Sequence, residues 1–170
     1  MADIKTPDKI AGPAKTVLVD DIDTDQIFHA SLLTIHEPEK IKPHIFGNLD
    51  GFHSFGEEDH AGKIMVVGKN FGKGSTRQQA VTGFLAHGIK ALVGLSFGPI
   101  YYGNAVNAGL LCVELAEQFE VVDGDEVEID VPNSQVHNKT KGTSAKTKLI
   151  PRPALEIMEA GGLLELGKRK

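Results

Sequence analysis

The sequence has few of the residues and segments that build disulfides, metal centres or membrane anchors. Cys112 is the only cysteine among 170 residues, and one thiol cannot form an internal disulfide or hold a zinc ion or iron–sulfur cluster by itself. No apolar run reaches the roughly 18 residues of a membrane-spanning helix. The segment MADIKTPDKI carries charges where a signal peptide needs an apolar stretch. We therefore expect a cytoplasmic protein with no membrane partner, whose metal chemistry uses histidines and carboxylates or comes from another chain.

A basic surface is also missing. Lys and Arg number 18 against 23 Asp and Glu, a net charge of −5, which argues against nucleic acid as a partner because such proteins need a basic face. With 41% hydrophobic and 24% charged residues, the composition is typical of a soluble globular protein. The length suits one domain rather than two.

The order of apolar and glycine-rich segments predicts one compact α/β domain over residues 15–170, after a flexible segment over 1–14. In the middle of the chain, apolar runs alternate with stretches of helical spacing, which favours a parallel sheet. Strands are predicted at residues 16–20, 63–68, 89–95, 110–115 and 126–131, a hairpin at 135–148, helices at 38–46, 75–87, 99–108 and 153–160, and a long glycine-rich loop at 47–62.

The segment GKNFGKGSTR, residues 68–77, joins a predicted strand to a predicted helix. A helix start exposes unpaired N–H groups and the positive end of the helix dipole, so it attracts anions. Gly72 and Gly74 let a ligand approach the backbone. Ser75 is a typical N-cap, and Arg77 can bind a carboxylate or phosphate. The spacing does not match GxxxxGK[ST], the phosphate-binding pattern. The simpler interpretation is that Ser75 only caps the helix and Arg77 is a surface charge.

Other polar groups have simpler interpretations. Four aspartates at positions 20, 21, 23 and 25 need a cationic or hydrogen-bonding partner, and Arg77 is one candidate; a solvated turn with Asp caps is the alternative. Five of the seven histidines fall between His29 and His60, with a spacing that is not typical of a metal site. We expect them in loops and on the surface. Cys112, in an apolar strand, is predicted to be a core thiol.

Two separated motifs resemble one family. They are DIDTDQI (residues 21–27) and NFGKGSTRQQA (70–80), supported by SFGPIYYGNAVNAGL (96–110) and MEAGGLLEL (158–166). From about residue 16 onwards the sequence is similar to the small subunit of isopropylmalate dehydratase and homoaconitase. That subunit corresponds to the swivelling C-terminal domain of aconitase, so the resemblance implies a single compact swivelling β/β/α domain.

The resemblance also implies a function. Family members are hydro-lyases that isomerise a hydroxy acid by dehydration and rehydration through an alkene. Their [4Fe–4S] cluster lies in a separate large subunit, so no cofactor is expected on this chain. The chain would then be inactive alone and would work in a heterodimer or heterotetramer. The activity expected from the resemblance is that of 3-isopropylmalate dehydratase in leucine biosynthesis, acting on a small hydroxy-dicarboxylate.

Site residues follow from the matched motifs. The resemblance implies that Ser75 is the base that removes the proton α to a carboxylate. Thr76 and Arg77, with the backbone of Gly74, would bind a substrate carboxylate. Asp25 matches the family's active-site aspartate and would orient Ser75 or Arg77.

The sequence departs from the family pattern directly after the arginine. The family usually has Glu-His where this sequence has Gln78 and Gln79, so a supporting role of that pair is in doubt. A second hypothesis is therefore a non-catalytic module that binds a carboxylate without chemistry.

A short loop after the first motif selects the substrate in this family. Homoaconitases and aconitases have an arginine there, and isopropylmalate enzymes have apolar residues. Counted without gaps from Asp25, the loop lacks arginine, and a buried distal carboxylate without a cation would be costly. An alkyl-malate is therefore expected, with dimethylmalate, citramalate and homoaconitate dehydratases as alternatives. Leu32 and Leu33 as core residues are the other interpretation. The loop consists of Ser31, Leu32, Leu33, Thr34 and Ile35.

Overall fold

The computed structural model describes residues 5–169, and seven strands form one sheet in the order β4-β3-β2-β1-β5-β6-β7. β1 to β4 run parallel to one another, as the alternating apolar runs predict, and β5 to β7 form antiparallel pairs. The strands are β1 Lys9–Val17, β2 Ile64–Val67, β3 Ala91–Gly94, β4 Leu111–Glu114, β5 Glu126–Asp130, β6 Gln135–Asn138 and β7 Thr143–Lys146.

β1 joins the two halves of the sheet. Its first residues, Lys9 to Pro13, pair antiparallel with β5, and its last residues, Ala14 to Val17, pair parallel with β2. The sheet also curls far enough for its two ends to meet. Leu115 forms a bridge with Thr147, and the N–H of Lys148 donates to the carbonyl of Glu114 at 2.8 Å.

The curled sheet separates two apolar clusters. Side chains alternate along each strand: Ile64 and Val66 of β2 face the inside of the curl, while Met65 and Val67 face the helices. The helix Arg152–Ala160 packs Ala154 and Leu155 against the cluster inside the curl. The other cluster lies between the outer face of the sheet and the helices earlier in the chain. The helices are α1 Thr24–Ile27, α2 Pro38–Ile41, α3 Gln79–Ala86, α4 Pro99–Asn107, α5 Arg152–Ala160 and α6 Leu163–Lys168.

Most predicted elements are confirmed, but β1 and α3 begin at other residues than expected, and one helix was not predicted. β1 begins at Lys9, so the sheet starts well before residue 15; residues 1–4 of the expected flexible segment lie outside the described residues. Gly12 and Pro13 hide this strand, since they interrupt its apolar pattern where it changes partner. α3 begins at Gln79 rather than at residue 75. A further helix, α6, follows the glycines expected to end the chain's last helix.

The 47–62 loop is packed into the core rather than free in solvent. Phe55 is fully buried, and its ring lies 4.9 Å from that of Phe46, edge to face. His60, expected on the surface, is also fully buried, and its ring stacks on Phe55 at 3.8 Å. Polar neighbours in the sequence conceal this contact.

A second buried histidine, His87, lies beside His60, with ring centroids 5.2 Å apart. Nε2 of His60 lies 2.8 Å from the carbonyl oxygen of Phe55, and Nε2 of His87 lies 2.8 Å from that of Lys42. Each ring therefore forms a hydrogen bond with the backbone. Burial lowers the pKa of His60 below its ordinary value and that of His87 to about 4. Both rings are therefore neutral at pH 7, and His87 ties the end of α3 to the segment after α2.

This burial makes the free energy of unfolding depend on pH. The unfolded chain protonates His87 near its ordinary pKa of 6.5, whereas the folded protein resists until about 4, so stability falls as pH drops through this range. His87→Gln keeps an N–H donor for Lys42 and does not titrate. We expect the melting temperature of this variant to fall less between about pH 7 and pH 5 than that of wild type. The exposed His36→Gln should behave as wild type; parallel curves for all three proteins would contradict the assignment.

Candidate active site

The two sequence motifs lie side by side, in the loops that follow β1 and β2. The N–H groups of Gly72 and Lys73 donate to the carbonyl of Ile22 at 2.8 and 3.1 Å, and that of Thr24 donates to the carbonyl of Lys73 at 2.9 Å. The carboxyl ends of neighbouring parallel strands meet at one sheet edge, which is where ligands of α/β proteins commonly bind. The site candidates therefore share one place in the fold.

Two glycines allow these loops to touch. Gly72 has a φ of +79°, and a side chain there would collide with the ring of Tyr101. Gly74 has a φ of +105°, and a Cβ atom would lie 2.9 Å from Oδ2 of Asp23. Both positions need glycine for conformation and for space.

The crowded aspartates each have a partner. Asp20 accepts from the N–H of Lys69 at 2.8 Å, and Asp21 accepts from the Asn70 side chain at 2.9 Å. Asp23 caps α1, with its carboxylate accepting from the N–H of Asp25 at 2.8 Å. For the first three aspartates, the interpretation as a capped turn is confirmed.

Asp25 pairs with Arg77, as the charge pattern suggested. Nη1 of Arg77 lies 2.8 Å from Oδ1 of Asp25, the same oxygen accepts from the N–H of Ala30 at 2.9 Å, and Asn48 donates to Oδ2 at 3.2 Å. The Ala30 N–H, and then the guanidinium, hold the pKa of Asp25 below its ordinary value despite some desolvation. Asp25 therefore stays ionised at neutral pH and anchors the arginine.

Arg77 is not the surface charge of the simpler interpretation, because its side chain is only 12% exposed. Besides Asp25, Nη1 also donates to the carbonyl of Phe28 at 3.0 Å. Within residues 5–169 the guanidinium forms its hydrogen bonds through Nη1 alone. Nη2 and Nε remain to bind an anion.

Ser75 does not cap α3, which corrects the prediction. The N-cap is Gln78 and the helix begins at Gln79, so the first turn lies four residues beyond Ser75. The contacts of Arg77 with the α1 region hold this stretch outside the helix. Ser75 and Thr76 are both exposed, and the positive groups nearest in sequence are Lys73 and Arg77.

The 31–35 loop packs partly on the core. Leu32 and Ile35 are half-buried against the apolar cluster on the helix side, in agreement with the core interpretation for Leu32. Leu33 is 39% exposed, and Thr34 and Ser31 are exposed.

Sequence reasoning missed two residues at this site. Nε2 of Gln79 donates to the carbonyls of Leu33 and Ile35 at 3.1 and 3.2 Å, and Asn48 supports Asp25. The only signal for Gln79 was its departure from the family pattern. Asn48 lies in the glycine-rich 47–62 loop, and nothing in its sequence neighbourhood indicates a contact with Asp25.

Cluster-forming residues do not come together in the part of the chain that the structure describes. Groups of three or more potential metal ligands are absent among these residues. Cys112 is buried on β4, and burial raises the pKa of its thiol. This donor set does not fit a [4Fe–4S] cluster, which needs cysteine thiolates.

In residues 5–169 no helix is long and apolar enough to cross a membrane.

Comparisons with known proteins agree with this architecture. Residues 36–118 match the family model of the aconitase C-terminal domain. The chain is 41% identical over 149 residues to 3-isopropylmalate dehydratase small subunit 1 of Archaeoglobus fulgidus, covering 88% of this chain and 91% of that protein. It is 40% identical to the small subunit of Thermodesulfovibrio yellowstonii, covering 89% of each.

Solved structures show the same fold. The 3-isopropylmalate dehydratase (LeuD) of Methanocaldococcus jannaschii superposes with a TM-score of 0.84 at 35% identity, covering 95% of this chain and 94% of that one. Aconitase X of Thermococcus kodakaraensis superposes with a TM-score of 0.50 at 14% identity, over 84% and 92% of the two chains; this likeness concerns the fold alone.

The curled sheet with its two joined loops defines a domain of the aconitase C-terminal type, as the resemblance implied. Within that class, identities near 40% over most of both chains are decisive. The chain belongs to the family of 3-isopropylmalate dehydratase small subunits.

Proposed function

We propose that this chain is the small subunit of a hydro-lyase that isomerises 3-isopropylmalate in leucine biosynthesis. The observation that carries the proposal is the Asp25–Arg77 ion pair, which holds a largely buried Arg77 side chain next in sequence to an exposed Ser75-Thr76 pair. This arrangement suits a substrate with a carboxylate next to the reacting carbon. The relatives are named for the same reaction.

The proposed partner is a large subunit, in a heterodimer or heterotetramer in the reducing cytoplasm. In this proposal that subunit carries the [4Fe–4S] cluster, which supplies Lewis-acid chemistry for departure of the hydroxyl group. The single buried thiol of Cys112 supports a cluster located elsewhere, because this chain lacks the thiolates to bind one.

Arg77 is the proposed carboxylate anchor. Asp25 fixes Nη1, so the remaining guanidinium N–H groups keep one direction and pair with a substrate carboxylate. The hydroxyl of Thr76 and the open backbone at Gly74 add hydrogen-bonding capacity beside it. A preorganised cation of this kind also stabilises the charge that builds up when a proton leaves the neighbouring carbon.

Ser75 is the proposed base. It takes the proton from the carbon beside the substrate carboxylate, and the electron pair of that C–H bond forms the alkene as the hydroxyl group leaves with its own pair. The reverse steps, with water added at the neighbouring carbon, complete the isomerisation. Since Ser75 does not cap α3, stabilisation of its alkoxide rests on Arg77 and on the cluster-bearing partner rather than on the helix dipole.

An alkyl-malate is the proposed substrate class. The side chain of Leu33 is exposed within the 31–35 loop, next to Thr34, and the loop has no cation for a second distal carboxylate. One methylene changes binding by only about 1–3 kcal/mol, so dimethylmalate and citramalate, which carry smaller alkyl groups, are alternative substrates.

Reconstitution tests the function directly. The purified chain, mixed with the cluster-bearing large subunit from the same source, should turn over 3-isopropylmalate faster than dimethylmalate, citramalate or homoaconitate, and neither subunit alone should act. A chain that binds these acids in the assembled complex without any turnover would instead support the non-catalytic module.

Ser75→Ala tests the base. General-base catalysis contributes roughly 10²–10⁴-fold, so kcat in the assembled enzyme should fall by about that factor while KM stays near the wild-type value. Ser144→Ala, on the distant hairpin strand β7, is the control and should keep wild-type kcat. Near-normal turnover of Ser75→Ala would remove Ser75 from the mechanism.

Thr34→Arg tests the selection loop. A guanidinium at this exposed position provides the missing partner for a distal carboxylate, so kcat/KM should shift toward homoaconitate by about tenfold or more relative to 3-isopropylmalate, as expected for a charge-assisted hydrogen bond. Thr82→Arg on α3, outside the loop, serves as the charge-matched control. No gain on homoaconitate would show that the 31–35 loop does not select the substrate.

A further inference from the structure

Gln79 connects α3 to the 31–35 loop. It is the first residue of α3 and is 8% exposed. Its Nε2 atom donates to the carbonyls of Leu33 and Ile35 at 3.1 and 3.2 Å. Both N–H groups of the side-chain amide are thereby used on the backbone of one loop.

The other end of that loop is tied to the same segment of chain. Arg77 donates to the carbonyl of Phe28 at 3.0 Å, and Asp25, its ion-pair partner, accepts from the N–H of Ala30 at 2.9 Å. Only Gln78 separates Arg77 from Gln79. Residues 28–35 are therefore held at both ends by one short stretch of chain.

The side chains between these ties divide into two sets. Leu32 and Ile35 pack against the apolar core, whereas Leu33 and Thr34 are exposed. The Gln79 bonds fall on the carbonyls on either side of Thr34. They therefore set the position of the Leu33 and Thr34 side chains relative to the guanidinium of Arg77.

We infer that Gln79 is a positioning residue for substrate selection: it fixes the distance between the carboxylate anchor and the loop that contacts the rest of the substrate. The inference rests on the proposed function and extends it to a position where this sequence departs from the family pattern. The presence of Gln79 instead of the family's usual residue is one reason for the hypothesis of a non-catalytic module. Under this inference, Gln79 instead has a specific role in the enzyme.

Amide hydrogen exchange of the isolated chain tests the tie without any activity. Gln79→Glu keeps the size of the side chain but replaces both donors with an oxygen that repels the two carbonyls, and Gln79→Met removes the donors without adding charge. Both variants should raise exchange in residues 29–37 by about tenfold, the expected effect of losing a buried hydrogen-bonding partner. Gln78→Glu, the same change at the exposed neighbour, should leave exchange unchanged.

Kinetics of the assembled enzyme test the effect on selection. In both Gln79 variants KM for 3-isopropylmalate should rise about tenfold with kcat little changed, while kcat/KM for the smaller citramalate should change less. A buried carboxyl gains protons more readily, so the Gln79→Glu defect should lessen relative to Gln79→Met as the pH is lowered. Gln78→Glu should keep wild-type selectivity.

The outcomes separate the inference from the proposed function. Unchanged exchange in both Gln79 variants would overturn the tie, whatever the kinetics show. Faster exchange with unchanged selectivity would overturn the positioning role. If the wild-type assembly acts on no alkyl-malate, the proposed function fails, and with it the selection role, while the exchange result still decides whether Gln79 holds the loop.

Discussion

The ion pair between Asp25 and Arg77 is the contact on which the arrangement of the site depends. It joins residues 52 positions apart in sequence, and three further features of the site follow from it. Nη1 of the arginine is occupied while its other nitrogens form no hydrogen bond within residues 5–169. The carboxylate also holds the residue before the 31–35 loop through the N–H of Ala30, and Arg77 pairs with Asp25 in the stretch before α3 begins at Gln79. Only Arg77 is largely shielded, since its side chain is 12% exposed and that of Asp25 is 37% exposed, so the geometry of the pair depends on the additional hydrogen bonds from Ala30, from Asn48 and to Phe28.

The proposed catalytic groups and the proposed selection loop lie on separate segments that meet only in the folded chain. Ser75, Thr76 and Arg77 follow β2, and the 31–35 loop follows α1, which itself follows β1. Their relative position is set by backbone hydrogen bonds between residues 22–24 and 72–73 and by the glycine at position 72, which lets the loop lie against Tyr101. Substitutions in the proposed selection loop can therefore leave the residues that follow β2 in place.

Sequence alone predicted the parts of this structure that depend on local pattern. Apolar runs gave β2, β3 and β4 within two residues, and like charges at 20–25 pointed to Arg77. Wrong expectations arose where distant contacts override local preference. Ser75 has the chemistry of a cap, but Arg77 pairs with Asp25 outside the helix, and α3 begins only at Gln79. His60 stands among polar residues, yet it stacks on Phe55. The Gln79 contacts could not be foreseen, because they require the path of the 31–35 loop.

The double pairing of β1 ties the geometry of the site to strand register. Because β1 is bonded to β5 along its first residues and to β2 along its last, neither half of the sheet can shift against it alone. A slip of one residue would carry Asp25 about 3.3 Å along the strand direction and turn the apolar side chains of β1 to the opposite face. The pairing of β1 with the antiparallel strand β5, which lies away from the site, therefore helps to fix the distance between the two site loops.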